Sequence, residues 1–249
     1  MKRVIIAIVF MALPGVVLAA ATDVHLDKAP VDLRNHSSLQ RGAKLFVNYC
    51  MGCHSAKYQR YNRLARDIGL TDEQVVNNLI FTDAKVGDTM EIAMPYSDAR
   101  EWFGAPPPDL SLIARSRGVD YLYTYMRSFY LDETRPWGVN NAVFPSVGMP
   151  HVLWELQGWQ KPIYEVHEDA EGEEVKEIKG FELVVPGSMT PPEFDAAMAD
   201  LVNFLAYVAE PIQLERKRIG VWVLLFLVVA FVVFYLLKKE YWKDVHGAE

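Results

Sequence analysis

Five residues constrain this chain more than any others: Cys50-Met51-Gly52-Cys53-His54, spaced as C-x-x-C-H. That spacing is the attachment signature of c-type haem. At the end of a helix, two thiols three residues apart reach the two vinyl groups on one haem edge. The adjacent imidazole, His54, is then placed under the iron as proximal ligand. A chain carrying this motif has to fold around that group. Cys50 and Cys53 are the only two cysteines in 249 residues, so no disulfide framework supports the fold. Two other readings of the pair fail. A zinc site needs four nitrogen or sulfur ligands, and a thioredoxin-like redox pair needs a βαβ context that the sequence lacks. One motif implies one haem c, covalent through Cys50 and Cys53.

The sixth iron ligand decides what such a haem does. Methionine raises the reduction potential and suits electron transfer, whereas an open position suits ligand binding or peroxide chemistry. Candidates after the motif are Met90, Met94, Met126, Met149 and Met189, with His151 and His167. Met126 sits on an apolar helical stripe and reads as core. Met94 and Met149 each precede a proline in an irregular stretch, a suitable way to present a thioether. Gly148 also lets the backbone at Met149 approach a ring closely. Met149 is favoured over Met94, with His151 as the rival from the same loop.

Both ends of the chain are apolar. Lys2 and Arg3, an apolar run over 4–18 and three alanines at 19–21 follow the order of a secretory leader over residues 1–21. Residues 219–237 give 19 consecutive positions without a charge. As a helix they span about 28 Å, close to the ~30 Å hydrocarbon core of a bilayer. Arg216, Lys217 and Arg218 flank one side, and Lys238, Lys239, Tyr241 and Trp242 the other. Basic residues are nearly balanced across this anchor, so the leader sets the orientation. The domain over 22–218 is exported to the periplasmic side of the inner membrane, and the tail over 238–249 stays cytoplasmic.

Removing both ends takes away five basic and three acidic residues, leaving twenty against twenty-nine, formally −9. An acidic domain attracts a basic partner, although solubility alone accounts for it equally well. The composition excludes a disordered, collagen-like or nucleic-acid-binding chain. A mean hydropathy of +0.03 excludes a polytopic transporter.

Within the domain, residues 38–49 place Leu39, Ala43, Phe46 and Val47 on one helical face leading into the cysteines. Thr71 with Gln74 is a capping box before Val75, Val76, Leu79 and Ile80. Residues 85–108 are irregular and end in three prolines. Helices are expected over 109–117 and 120–130, the latter with Leu122, Tyr125, Met126 and Phe129 along one side. Residues 133–156 read as loop. A small hairpin is expected from 163–166 and 177–185 around an acidic turn at 168–174. Thr190 to Glu193 caps a last soluble helix with an apolar stripe from Phe194 to Val208, and Pro211 interrupts before the anchor. The fold class is mainly α: a cytochrome c-like haem domain with long loops, a small β-hairpin and one C-terminal transmembrane helix.

In this arrangement the chain resembles the cytochrome c1 family of bacterial type, the haem subunit of the ubiquinol–cytochrome c reductase (cytochrome bc1) complex. The matching pieces run in order. Arg41-Gly42 opens the helix into residues 50–54, followed by Tyr58, Tyr61 and Leu64. Pro107-Pro108-Asp109-Leu110-Ser111 leads into Ile113, Arg115, Arg117, Asp120 and Tyr121. Gly148-Met149 closes the haem region, and Ala209-Glu210-Pro211 with Arg216-Lys217-Arg218 runs into the single span. The segments 71–106 and 160–190 match only loosely. With two cysteines, the chain also lacks the extra disulfide of some bacterial members.

The resemblance implies His54 and Met149 as axial ligands, Arg117 and Tyr121 against a haem propionate, and Pro107 and Pro108 near the haem edge. It implies electron transfer from the Rieske iron–sulfur subunit to a soluble c-type cytochrome, with quinol chemistry belonging to cytochrome b, inside a dimeric complex. No side chain would be a catalytic acid, base or nucleophile. Two rival readings remain beside it. One is an independent anchored c-type cytochrome feeding a terminal oxidase or peroxidase. The other is a haem enzyme or sensor with an open iron site.

Overall fold

The computed structural model describes residues 25–168 and 174–243. The leader over 1–21 lies outside the described residues, as do 169–173 of the acidic turn and 244–249 of the tail. The described chain is mostly helical, with three two-stranded antiparallel sheets and one long apolar C-terminal helix.

Two crossing helices carry the domain. Helix α1 (His36–Leu45) is capped by Asn35, whose side-chain oxygen accepts from the Ser38 N–H at 3.1 Å. Helix α8 (Pro191–Ala209) begins with the expected Thr190/Glu193 capping box and two prolines. Their contact is close because one of the facing residues has no side chain. A Cβ on Gly42 would sit 2.1 Å from the Asp200 carbonyl oxygen and 2.6 Å from the Phe204 Cβ. Arg41, the neighbouring residue, pairs with both carboxylate oxygens of Asp200 at 2.5 and 2.9 Å. Beneath them Phe46 packs on Phe204 with ring centroids 5.5 Å apart, both rings fully buried. Burying a side chain of that size contributes about 1.5–3 kcal/mol. The apolar stripe read from the sequence is buried at Phe194, Met198, Leu201, Leu205 and Val208.

Around this pair run α2 (Tyr61–Ile68), α3 (Asp72–Leu79), α4 (Tyr96–Phe103), α5 (Ile113–Ser116), α6 (Val119–Arg127) and the single turn α7 (Trp154–Gln157). Thr71 and Gln74 form both bonds of the expected capping box on α3, which buries Val75 and Leu79 but leaves Val76 exposed. Helix α4 lies inside a stretch expected to be irregular. Only Ala99 is buried in it, so there was no apolar period to read. The helix expected over 109–117 is reduced to α5, because residues 109–111 are engaged elsewhere, as described below.

The helix expected over 120–130 stops at Arg127. Phe129 leaves it for strand β3 (Phe129–Leu131), which pairs with β4 (Val139–Asn141) inside the expected loop. The supposed stripe therefore divides between two cores. Leu122 and Met126 join the main one, while Phe129, with Val139 and Val147, nucleates a smaller one against Tyr125, Met149 and Trp159. Before these, β1 (Ala56–Arg60) pairs with β2 (Thr89–Met90).

The expected hairpin is present and longer: β5 (Gly158–Glu168) pairs with β6 (Glu174–Pro186). Its root is tight. A Cβ on Gly187 would meet the Leu156 carbonyl at 2.3 Å, and Gly158 holds a φ of 90°. Helix α9 (Gln213–Tyr241) is 29 residues long, about 44 Å at ~1.5 Å per residue, and apolar enough to cross a membrane. It extends beyond 219–237 at both ends, so Arg216, Lys217 and Arg218 lie within its first two turns and Lys238 and Lys239 in its last. Glu210 sits at the elbow between α8 and α9, paired to Arg216 and Gln213.

Candidate functional site

Helix α1 does not end as an ordinary helix. Residues Phe46–Cys50 form one π-helical turn, with the Met51 N–H donating to the Phe46 carbonyl at 2.9 Å. Such turns widen the helix by a residue and mark functional sites. The Cys50 carbonyl then accepts from the N–H groups of both Cys53 (3.0 Å) and His54 (2.9 Å). This wrapping puts the two thiols and the imidazole on the wall of one cavity, about 380 Å³ in volume.

The next wall is a strap over residues 107–111 bonded almost residue for residue to the chain leaving the motif. His54 Nδ1 lies 2.7 Å from the Pro108 carbonyl oxygen. Asp109 accepts from the Lys57 N–H at 3.0 Å, the Ser55 carbonyl accepts from the Leu110 N–H at 2.8 Å, and Ser111 Oγ accepts from the Tyr58 N–H at 3.1 Å. These bonds hold residues 109–111 out of the helix, which begins only after Leu112. They also give Pro107 and Pro108 a job besides turning the chain: both line the cavity.

Met149 lines the same cavity. It follows a loop pinned by two adjacent buried amides. Asn141, fully buried, donates to the Tyr125 carbonyl (2.8 Å) and accepts from the N–H groups of Val143 (2.9 Å) and Phe144 (3.1 Å). Asn140 accepts from the Ser146 N–H at 2.8 Å, where Ser146 holds a φ of 62°. Of the other sixth-position candidates, Met126 also lines the cavity while belonging to the main core. Met90 is wholly buried in that core, Met189 packs against it, and His167 is exposed on β5. Met94 is not among the lining residues. The rival His151 is not either: it is 5% exposed, stacked on Phe129 at 5.0 Å and met edge-on by Trp159 at 5.7 Å. Burial pulls its pKa down to about 4, so it behaves as a neutral core ring.

Helix α6 supplies the remaining wall. Arg117 lies just before it, with its guanidinium 5.6 Å from the Tyr121 ring centroid. Tyr121 stacks on Tyr125 at 6.0 Å, and the Tyr125 phenol donates to the Met149 sulfur at 3.5 Å. Arg117, Tyr121 and Tyr125 all line the cavity. Tyr125, Asn140 and Asn141 were missed as site residues in the sequence. Tyr125 lies four residues after Tyr121, one helical turn along the same face, and that spacing was the available signal. The two asparagines carried none, since a buried amide reads like any loop residue.

The chemistry of the walls suits a haem. A carbonyl oxygen only accepts, so the short contact to Pro108 requires the proton on His54 Nδ1 and leaves the Nε2 lone pair free to bind a metal. Burial lowers the His54 pKa and so favours the neutral ring, the Pro108 bond and the Asp109 charge opposing it. Burial pushes the Cys50 thiol up to about 12 and raises Cys53 as well. Those are the reverse of the depressed values that make redox or metal-binding thiolates. Among the described residues no cluster of three or more His, Cys, Asp or Glu could hold a metal ion. Two protonated thiols, a neutral imidazole with Nε2 free, a thioether, and Arg117 with Tyr121 as donors for carboxylates form a donor set that fits haem c.

Comparison with known proteins bears on the same region. The sequence profile of the Cytochrome C1 family matches residues 27–158 and 187–245. The unmatched stretch coincides with the β5–β6 hairpin, whereas 71–106, which looked divergent, falls inside the match. Cytochrome c1 of Allochromatium vinosum is 53% identical, over 99% of this chain and 100% of its own length. A protein of Nitrosomonas europaea named ammonia monooxygenase gamma subunit is 48% identical, over 94% of both chains. Cytochrome c1 of Rhodospirillum rubrum is 28% identical, over 83% of this chain and 81% of its own.

Proposed function

This chain belongs to the cytochrome c1 family, and from that membership we propose that it is the haem-bearing electron-transfer subunit of a bc1-type quinol–cytochrome c reductase. The family implies a haem c cofactor. When bound, that group supplies a one-electron ferric/ferrous couple. The observation that carries the assignment of residues is the Nδ1–H of His54 donated to the Pro108 carbonyl, beside both thiols and Met149 in a single cavity.

Cys50 and Cys53 hold one haem through thioether bonds. His54 and Met149 would hold its iron, the strap over 107–111 keeping the imidazole from turning and the loop after β4 presenting the thioether. Arg117 and Tyr121 donate to a propionate at the rim, a charge-assisted contact that offsets a carboxylate partly withdrawn from water. Pro107, Pro108 and the apolar lining exclude solvent, which favours a methionine-ligated couple at high potential. No side chain exchanges a proton with a substrate.

In the assembly, electrons enter singly from the Rieske iron–sulfur subunit and leave to a soluble c-type cytochrome, with cytochrome b as the neighbour of α9 and the complex dimeric. Helix α9 anchors the chain in the inner membrane as a single span. A leader over 1–21 places the 22–218 domain on the periplasmic side, and the acidic charge of that domain favours a basic acceptor.

Gentle detergent purification from native membranes tests this, with reduced-minus-oxidised spectra and subunit identification on one fraction. A c-type band with the red charge-transfer band of methionine ligation, together with b-type haem and an iron–sulfur subunit, is expected. A c-type protein purifying alone favours an independent anchored carrier. Co-purification with oxygenase subunits instead would follow the name carried by the Nitrosomonas relative. Missing methionine ligation returns the enzyme or sensor reading.

A further inference from the structure

The hydroxyl of Tyr125 is placed by everything around it. Its ring is held between Tyr121, stacked at 6.0 Å, and Phe129, met edge-on at 5.2 Å. Its own carbonyl accepts from Asn141, the same amide that pins the loop ahead of Met149. One residue therefore ties the backbone of the phenol to the backbone of the thioether. Packing alone would be served by phenylalanine at 125. The oxygen adds one thing, a bond to the Met149 sulfur at 3.5 Å.

We propose that Tyr125 is a positioning residue for Met149: its phenol, donating to the thioether sulfur, weakens that sulfur as an electron donor to the haem iron and so raises the reduction potential. The inference rests on Met149 being the axial ligand. A thioether sulfur has two lone pairs and is a weak acceptor, so one pair can bind iron while the other receives the phenol. Density drawn toward the proton is lost to the metal, and ferric iron needs that density more than ferrous iron does. Outer partners tune a metal in this way by acting on its ligands.

A second tyrosine–methionine pair shows that the location matters. Tyr61 donates to the Met51 sulfur at 3.4 Å, but neither residue lines the cavity, so that bond has no route to the iron.

The test is the midpoint potential of the full-length haem-loaded protein in detergent, read by spectroelectrochemistry alongside the red charge-transfer band. In Tyr125→Phe the band should persist and the midpoint should move negative. The expected size is about a threefold change in the ferric/ferrous ratio at fixed potential, about 28 mV at ~59 mV per decade for one electron. Tyr130→Phe, a control in which the altered ring stacks on Phe181 at 6.2 Å away from the cavity, should leave the midpoint in place. A band retained with an unchanged or more positive midpoint in Tyr125→Phe overturns the proposal. Absence of the band in the unaltered protein overturns the ligand assignment itself and the proposal with it. If Tyr125→Phe does not load haem, 3-fluorotyrosine at 125 keeps the shape and donates more strongly. It must move the midpoint positive, and no shift or a negative one overturns the proposal.

Discussion

His54 donates its Nδ1 proton to the backbone carbonyl of Pro108 across 2.7 Å, and the chain that follows each partner is bonded to the other, Ser55 to Leu110 and Lys57 to Asp109. The imidazole is thus oriented by main chain rather than by a carboxylate, and it is held only as firmly as the strap that carries residue 108. Asp109 anchors that strap, accepting from the N–H groups of Lys57 and Ser111 at 3.0 and 2.9 Å. Asp109→Ala should therefore loosen the imidazole without removing a ligand. Because the carboxylate is exposed, the cost in chemical denaturation should be about 1 kcal/mol. The visible spectrum should broaden, and an unchanged spectrum would remove the strap from the account of His54.

Gly42 makes a harsher prediction. Any side chain there enters the Asp200 backbone, which cannot rotate away. Gly42→Ala should separate α1 from α8 and cost about 3 kcal/mol or more. The readout is the yield of haem-loaded protein together with its thermal midpoint. Near-normal stability would mean that the helices cross elsewhere.

Asn141→Ala should destabilise the domain by about 1–3 kcal/mol, since it takes the amide oxygen away from the Val143 and Phe144 N–H groups and leaves the Tyr125 carbonyl only its bonds from Ser128. Its more specific effect should fall on Met149: the red charge-transfer band should weaken more than the Soret band. Equal loss of both would reduce Asn141 to general stability.

The elbow before the anchor should be sensitive to acid. The Glu210 carboxyl is held below its ordinary value, chiefly by the hydrogen bond from Arg216. A depressed folded-state pKa contributes stability that is full above the unfolded value of about 4.3 and is lost as pH falls through the lower folded value. The thermal midpoint of the native chain should exceed that of Glu210→Gln at neutral pH, and the difference should close below about pH 4.3. A gap that persists in strong acid would assign the effect to packing.

The outer hairpin should be dispensable to the haem domain. Ile163 and Gly180 face each other across the pair, so an Asn-Gly turn can replace 164–179 and keep the root. Gln160, which bonds the Phe129 carbonyl at 2.6 Å, remains. Stability should change by no more than about 0.5 kcal/mol and the spectrum not at all. A substantial loss of stability would show that the arm supports the small core.

Much of this fold was legible because its signals are local. The two capping boxes, the apolar face leading into Cys50, the stripe on α8, the hairpin and the long apolar helix each follow from neighbouring residues. Errors clustered where a side chain answers to a distant partner. Phe129 continues a helical stripe in sequence but pairs as a strand with Asn141, and residues 109–111 fall in the expected helix but are bonded to Lys57, Ser55 and Tyr58. Helix α4 was invisible because it buries only Ala99.

The sequence by itself determined the chemistry offered: two thiols and an imidazole at a spacing that one helix end can present, a methionine before a proline, and an apolar run too long to bury. Contact between these pieces was decided by tertiary structure. Met149 reaches the cavity because Asn140 and Asn141, far beyond the motif in sequence, bend its loop. His151, two positions away, is sealed between Phe129 and Trp159 instead. Spacing along a chain sets what one element can display, but only packing between elements sets which displayed groups meet.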